Sequence, residues 1–227
     1  MKTYWYLTRS SGAVSLVLLT AALVIGIALV GRVHSRRWPR FVVDGIHRAV
    51  SLLAIVFLAV HIATAVLDSF APISLLDAVI PFAGAYRPVW LGLGAAAFDL
   101  LLAVAITSGL RERLGHRAWR AVHWLAYAVW PLAVVHGLAT GSDVHQGWMA
   151  AIYVACGAAF AVAVLIRVVI GWPERPRLRL AAVGTLAAFA IGLAVWLPGG
   201  PFGPDWARRA GTPPSLLPHT VSARRPG

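Results

Sequence analysis

Cysteine occurs once in this chain, at position 156. One thiol cannot close an internal disulfide or form a Cys-x-x-Cys metal site. Nor does it supply the Cys-x-x-Cys-His needed for covalent haem attachment. Cys156 lies inside an apolar stretch and reads as a packed apolar residue. Lysine also occurs once, as Lys2, and charged residues make up only 12% of the chain. The net charge of +12 is therefore almost entirely arginine. Those arginines stand between apolar stretches and leave no basic face, which excludes nucleic acid as a partner. No phosphate-binding loop and no Gly-x-Gly-x-x-Gly after a strand pattern is present, so the chain is expected to carry no nucleotide domain of its own.

What is abundant is apolar sequence. Of 227 residues, 59% are hydrophobic, and the mean hydropathy is +0.77. A soluble domain of this size could not bury that much apolar surface, so the chain reads as an integral membrane protein. Crossing a bilayer as a helix takes about 20 apolar residues. Six stretches qualify: Gly12–Val30, Ile46–Leu67, Val89–Leu110, Ala118–Thr140, Gly147–Ile170 and Leu180–Leu197. Trp5, Trp38, Trp90, Trp119, Trp148, Trp172 and Trp196 mark their edges, as an interfacial aromatic belt does. The fold class expected is all-α, a bundle of six transmembrane helices.

Charge in the connections sets the orientation. The first carries Arg32, Arg36, Arg37 and Arg40, the third Arg111, Arg113, Arg117 and Arg120, and the fifth Arg175, Arg177 and Arg179. The second has Asp68 and Asp77 against Arg87, and the fourth has Asp143 and no arginine. Arginine-rich connections stay in the cytoplasm, so both termini are expected outside. The first span, preceded by Lys2 and Arg9 and followed by four arginines, reads as an uncleaved anchor. Residues 1–11 are expected to form an outer segment, 12–197 the membrane domain and 198–227 a disordered external tail rich in Pro, Gly and Arg. The run Ile73–Phe82 is too short to span and is expected to lie re-entrant or along the outer face.

Ionisable residues inside a membrane segment are functional candidates by default. His47 and His61 share the second span, 14 residues apart; His123 and His136 share the fourth, 13 apart. At 1.5 Å per residue either step climbs about 20 Å, most of a hydrocarbon core. Both spans run from inside to outside under the topology above. His47 is then level with His123, and His61 with His136. Two facing imidazoles at one level can clamp a haem iron axially and leave no open position. A 14-residue step returns within about 40° of its start, but a 13-residue step misses by about 140°. Pro131, between His123 and His136, is expected to kink or rewind the helix and correct that mismatch.

Other residues are candidates with two readings each. Phe57, Tyr127 and Trp130 lie on the histidine stripes, as an aromatic bridge between two macrocycles or as ordinary core packing. Arg48 and Arg120, at the inner ends of the two spans, either pair with haem propionates or belong to the cytoplasmic arginine set. Asp99, mid-membrane in the third span, is a possible proton or polar site. His34, His116, His145 and His219 fall in connections or the tail and read as solvated.

The segments HRAVSLLAIVFLAVHI and WRAVHWLAYAVWPLAVVHGL resemble the ferric reductase-like transmembrane domain. That superfamily takes in the membrane parts of ferric reductases and NADPH oxidases and the haem-binding subunit of the bacterial methionine sulfoxide reductase system. The resemblance covers roughly Gly45 to Gly171. It implies that His47 and His123 ligate an inner haem b, and His61 and His136 an outer one. It also implies electron movement outward across the membrane. Where the ferric reductases and oxidases carry FAD and NADPH domains, another span and a short tail follow here. The expected donor is therefore a separate cytoplasmic flavoprotein or a membrane quinol, with FAD, FMN or quinone entering only through a partner. The expected acceptor is an extracytoplasmic redox protein, ferric iron or oxygen. On this reading the chain is the electron-transfer component of an oxidoreductase in a bacterial cytoplasmic membrane. A haem-binding sensor or anchor and a cofactor-free transporter are the alternatives.

Overall fold

A computed structural model describes residues 2–30, 39–170 and 173–217. The expectations for Arg32, His34, Arg36, Arg37, Trp38, Trp172 and His219 fall outside these residues. Helices account for nearly all of the fold, and no strand occurs among the described residues. The order is α1 (Lys2–Val30), α2 (Arg40–Leu67), α3 (Leu75–Val79), α4 (Pro88–Gly109), α5 (Arg111–His123), α6 (Ala126–Thr140), α7 (Gly147–Ile170), α8 (Pro176–Gly199) and α9 (Trp206–Arg209). A short 3₁₀ turn, Pro214–Leu216, follows. Among the described residues, α1, α2, α4, α7 and α8 are each long and apolar enough to cross a bilayer, and α5 with α6 passes the same test together across a 41° bend, which gives five spans, or six if the bent pair counts as one. The chain is an integral membrane protein.

Local chemistry places the helix starts. Proline at N1 opens both α4, after Arg87, and α8, after Arg175. Its missing N–H costs nothing in a first turn. Ser74 starts α3 with a reciprocal cap: its Oγ accepts from the Asp77 N–H, and the Asp77 carboxylate accepts from the Ser74 N–H. That short helix, packed on α4, occupies the run expected to lie re-entrant or along the outer face.

Packing brings α1 along α2 and α4 along α6, with α1 also touching α6 and α7 while α8 leans on α7. Leu16, Trp130, Val134, Leu138, Val144 and Cys156 form the buried cluster where α1, α6 and α7 meet. The Trp130 indole N–H donates to Thr20 Oγ1 at 2.9 Å, and the Thr20 hydroxyl donates on to the Leu16 carbonyl. On the outside of the bundle, Val169 is 72% exposed and Val195 75%. Large apolar side chains so open belong against lipid.

Three differences from the sequence expectation have physical causes. Residues 2–11 are the first turns of α1 and not a separate segment, because helical hydrogen bonding continues through polar residues. Ser10 and Ser11 bond back to the carbonyls of Tyr6 and Leu7. The fourth span breaks at Trp124–Leu125, one turn before the backbone position that Pro131 deprives of a partner. Finally, the segment expected to be a disordered tail is folded back through residue 217. Trp206 packs on Trp90 and Trp196, and its indole N–H donates to the Ala139 carbonyl at 3.0 Å. Arg87 donates to that same carbonyl at 2.7 Å and to Thr212 Oγ1 at 2.9 Å. A cation and an indole thus close the last turn of α6, where carbonyls lack helical partners.

Candidate functional site

Helix α2 carries His47 near its start and His61 near its end on one face. The bent pair α5–α6 carries His123 and His136. Between these two histidines the backbone tightens: Leu125, Tyr127 and Ala128 each donate to the carbonyl three residues earlier. Such turns advance about 120° per residue instead of about 100°, so three of them recover about 60° of the roughly 140° mismatch of a 13-residue step. The bend supplies further reorientation. The imidazoles consequently meet in two pairs. His47 and His123 have ring centroids 6.4 Å apart at an interplanar angle of 70°. His61 and His136 are 6.5 Å apart at 86°.

Three rings are tied to neighbouring backbone through Nδ1. His47 donates to the Ala22 carbonyl at 3.0 Å, His61 to Thr8 at 2.8 Å and His136 to Trp90 at 2.9 Å. A carbonyl only accepts, so Nδ1 carries the proton and Nε2 keeps its lone pair for a ligand role. Each ring lies on a glycine of the facing helix. A Cβ at Gly12 would stand 2.9 Å from His61 Nδ1, and one at Gly94 would stand 2.5 Å from His136 Nδ1. One at Gly26 would stand 3.3 Å from His47 Cε1. These glycines escaped the sequence reading, although Gly12 and Gly26 repeat on α1 the 14-residue spacing of His61 and His47 on α2.

The spacing within each pair suits an iron held between two Nε2 atoms. Metal–imidazole bonds of about 2 Å, plus the ring radii, put the centroids about 6 Å apart. Among the described residues no group of three or more His, Cys, Asp or Glu converges anywhere. A bare ion at either pair would have too few protein ligands, whereas a tetrapyrrole brings four nitrogens and needs only the two axial imidazoles. The His61–His136 pair also lines a cavity of about 310 Å³ between α1, α2, α4 and α6. Its walls are mostly apolar, including Leu19, Leu58, Phe98 and Val129. Arg9 and Asp143, paired with each other, also line it, with the Arg9 guanidinium 3.7 Å from the Trp5 ring centroid.

The remaining candidates fall elsewhere. Trp130 turns into the core against Phe160 and Phe189 and does not line the cavity. Tyr127 lies on Trp124, and Phe57 is half-buried on α2. Arg48 pairs with Asp44 one turn earlier at 2.8 Å and is largely exposed; Arg120 is exposed on α5. Asp99 is partly buried and makes no hydrogen bond or ion pair among the described residues, while the adjacent Phe98 lines the cavity.

Residues 11–134 match the family described as ferric reductase like transmembrane component, which is over half of the chain. The protein-methionine-sulfoxide reductase heme-binding subunit MsrQ of Herminiimonas arsenicoxydans is 27% identical over 176 residues, 76% of this chain and 74% of that protein. The subunit of the same name from Caulobacter vibrioides is 33% identical over 117 residues, 50% of this chain. That second match takes in 52% of the relative's own length. No solved structure matches the chain.

Proposed function

Because the chain belongs to the ferric reductase-like transmembrane component family, we propose that it carries electrons across the membrane through two b-type haems, one held by His47 and His123 and one by His61 and His136. Haem supplies one-electron redox chemistry, and two axial imidazoles leave it no open position for side reactions. The protein's part is positional. Its helices hold four Nε2 atoms at two depths separated by about 20 Å, and its apolar walls keep the outer pair dry.

The observation that carries this reading is the double pairing of imidazoles at 6.4 and 6.5 Å. Direction follows from charge. Arg111, Arg113, Arg117 and Arg120 stand on α5, at the His47–His123 end. Arginine-rich ends face the cytoplasm, so electrons enter at that pair and leave at His61–His136. The donor is a separate flavoprotein or a quinol. The relatives are named as subunits of a protein-methionine-sulfoxide reductase. By that likeness, the acceptor here is a redox protein on the outer face.

Haem stoichiometry tests the reading. Purified chain is expected to give b-type bands in a reduced pyridine haemochrome assay, at two haems per chain. A value near zero would end the proposal, and a value near one would remove one of the two sites.

A further inference from the structure

Three of the four histidines share one arrangement. The carbonyls that accept their Nδ1–H belong to Thr8, Ala22 and Trp90. Four residues after each stands the glycine on which the ring lies: Gly12, Gly26 and Gly94. In an α-helix the carbonyl of residue i already accepts from the N–H of residue i+4. Each of these carbonyls therefore takes a second hydrogen bond from the side, at the one place where a Cβ would block the approach. Other helix-interior glycines, Gly157, Gly184 and Gly192, have open space where a Cβ would stand, so the close approach of a ring sets Gly12, Gly26 and Gly94 apart from them.

His123 departs from the pattern. Its Nδ1 is shielded from solvent and has no hydrogen-bond partner among the described residues. The ring instead stacks on Trp119, with centroids 5.0 Å apart and planes 30° apart. On α4, 14 residues after Gly94, where the α1 pattern would put another glycine, stands Ser108. Its hydroxyl accepts from the Trp119 indole N–H at 3.3 Å.

Resting on the two-haem reading, we infer that the two iron sites are unequal: Gly12 and Gly94 are positioning residues that let both outer imidazoles be fastened, while His123 is the one exchangeable ligand. A hydrogen bond from Nδ1 fixes the ring's direction and raises the basicity of Nε2, which strengthens the metal bond. His123 lacks both effects. A small ligand of reduced iron such as carbon monoxide should displace it, breaking one iron–nitrogen bond and forming one iron–carbon bond with no change in oxidation state.

The test uses full-length, haem-loaded protein, reduced with dithionite and exposed to carbon monoxide. About half of the haem should form the carbonyl complex, read from the Soret band. Gly94→Ala should bring the outer haem into reaction and raise the reactive fraction toward the whole. If that variant fails to fold, Gly12→Ala presses on His61 less severely and should raise the fraction by a smaller amount. Gly109→Ala, on the same helix as Gly94 but with open space at its Cβ, should behave as wild type. Equal reactivity of both haems in wild type, or of neither, would overturn the inequality alone. So would glycine variants that fold but match wild type. Wild-type protein without haem would overturn the two-haem reading and this inference together.

Discussion

Under the two-haem proposal, replacing His136 with alanine is expected to leave one haem per chain in place of two and to stop electrons reaching an outer acceptor. The ring of His136 is one of two imidazoles at its level, facing His61 at 6.5 Å. On the proposed reading the outer iron would then keep His61 as its one axial imidazole. Losing an outer-shell partner of a metal ligand already costs about 10–100-fold in affinity or activity, and losing the ligand itself should cost more than ~100-fold. The inner pair is about 20 Å away along the helices and should keep its haem. Folding should suffer little, because the freed Trp90 carbonyl retains its helical bond. Haem per chain, and reoxidation of dithionite-reduced protein by an external acceptor, measure the two effects. Two haems retained in this variant would show that His136 is not a ligand.

The second large effect concerns stability. Arg9 and Asp143 pair between the first turns of α1 and the α6–α7 connection, with side chains only 22% and 10% exposed. Arg9→Ala would leave the Asp143 carboxylate buried with no cation. Removing one partner of a buried pair costs about 3–5 kcal/mol, much more than the pair itself contributes. For a chain of this size that is a fall of roughly 10 °C in Tm. Adding Asp143→Asn to Arg9→Ala should recover a large part of the loss, since it removes the orphaned charge. Thermal unfolding in detergent reads both. If the double variant were no more stable than Arg9→Ala, the loss would come from Arg9 packing on Trp5 and not from the carboxylate. Thr8, which holds His61, is the residue before Arg9, so the single variant should also loosen the outer haem.

Which parts of this design could be read from sequence follows from what spacing encodes. The spans and the histidine pairs were legible, because hydropathy marks helices and 14 residues is close to a whole number of turns. The 13-residue step was legible only as a conflict. Pro131 suggested that the helix would give, but the break lies at Trp124–Leu125, where backbone hydrogen bonds reach back three residues instead of four. Trp130 shared a stripe with His123 by ideal geometry. That rewinding breaks the ideal phase, and Trp130 packs in the core with Thr20. The folded segment after Gly199 was hidden by its composition. Proline, glycine and arginine suggest disorder, yet Trp206 and Thr212 find partners on α4, α6 and α8. The glycines were visible but carried no meaning until the rings lay on them.

Because three imidazoles hang from main-chain oxygens, the identities of residues 8, 22 and 90 are chemically irrelevant to holding them. Any amino acid there presents the same acceptor. The design instead ties function to interval: a bare position must stand four places after each acceptor, and the two such positions on α1 must stay in step with α2. A single inserted or deleted residue between Gly12 and Gly26 would therefore put one of the two out of phase with its histidine, a harm that point substitutions across most of that stretch could not do.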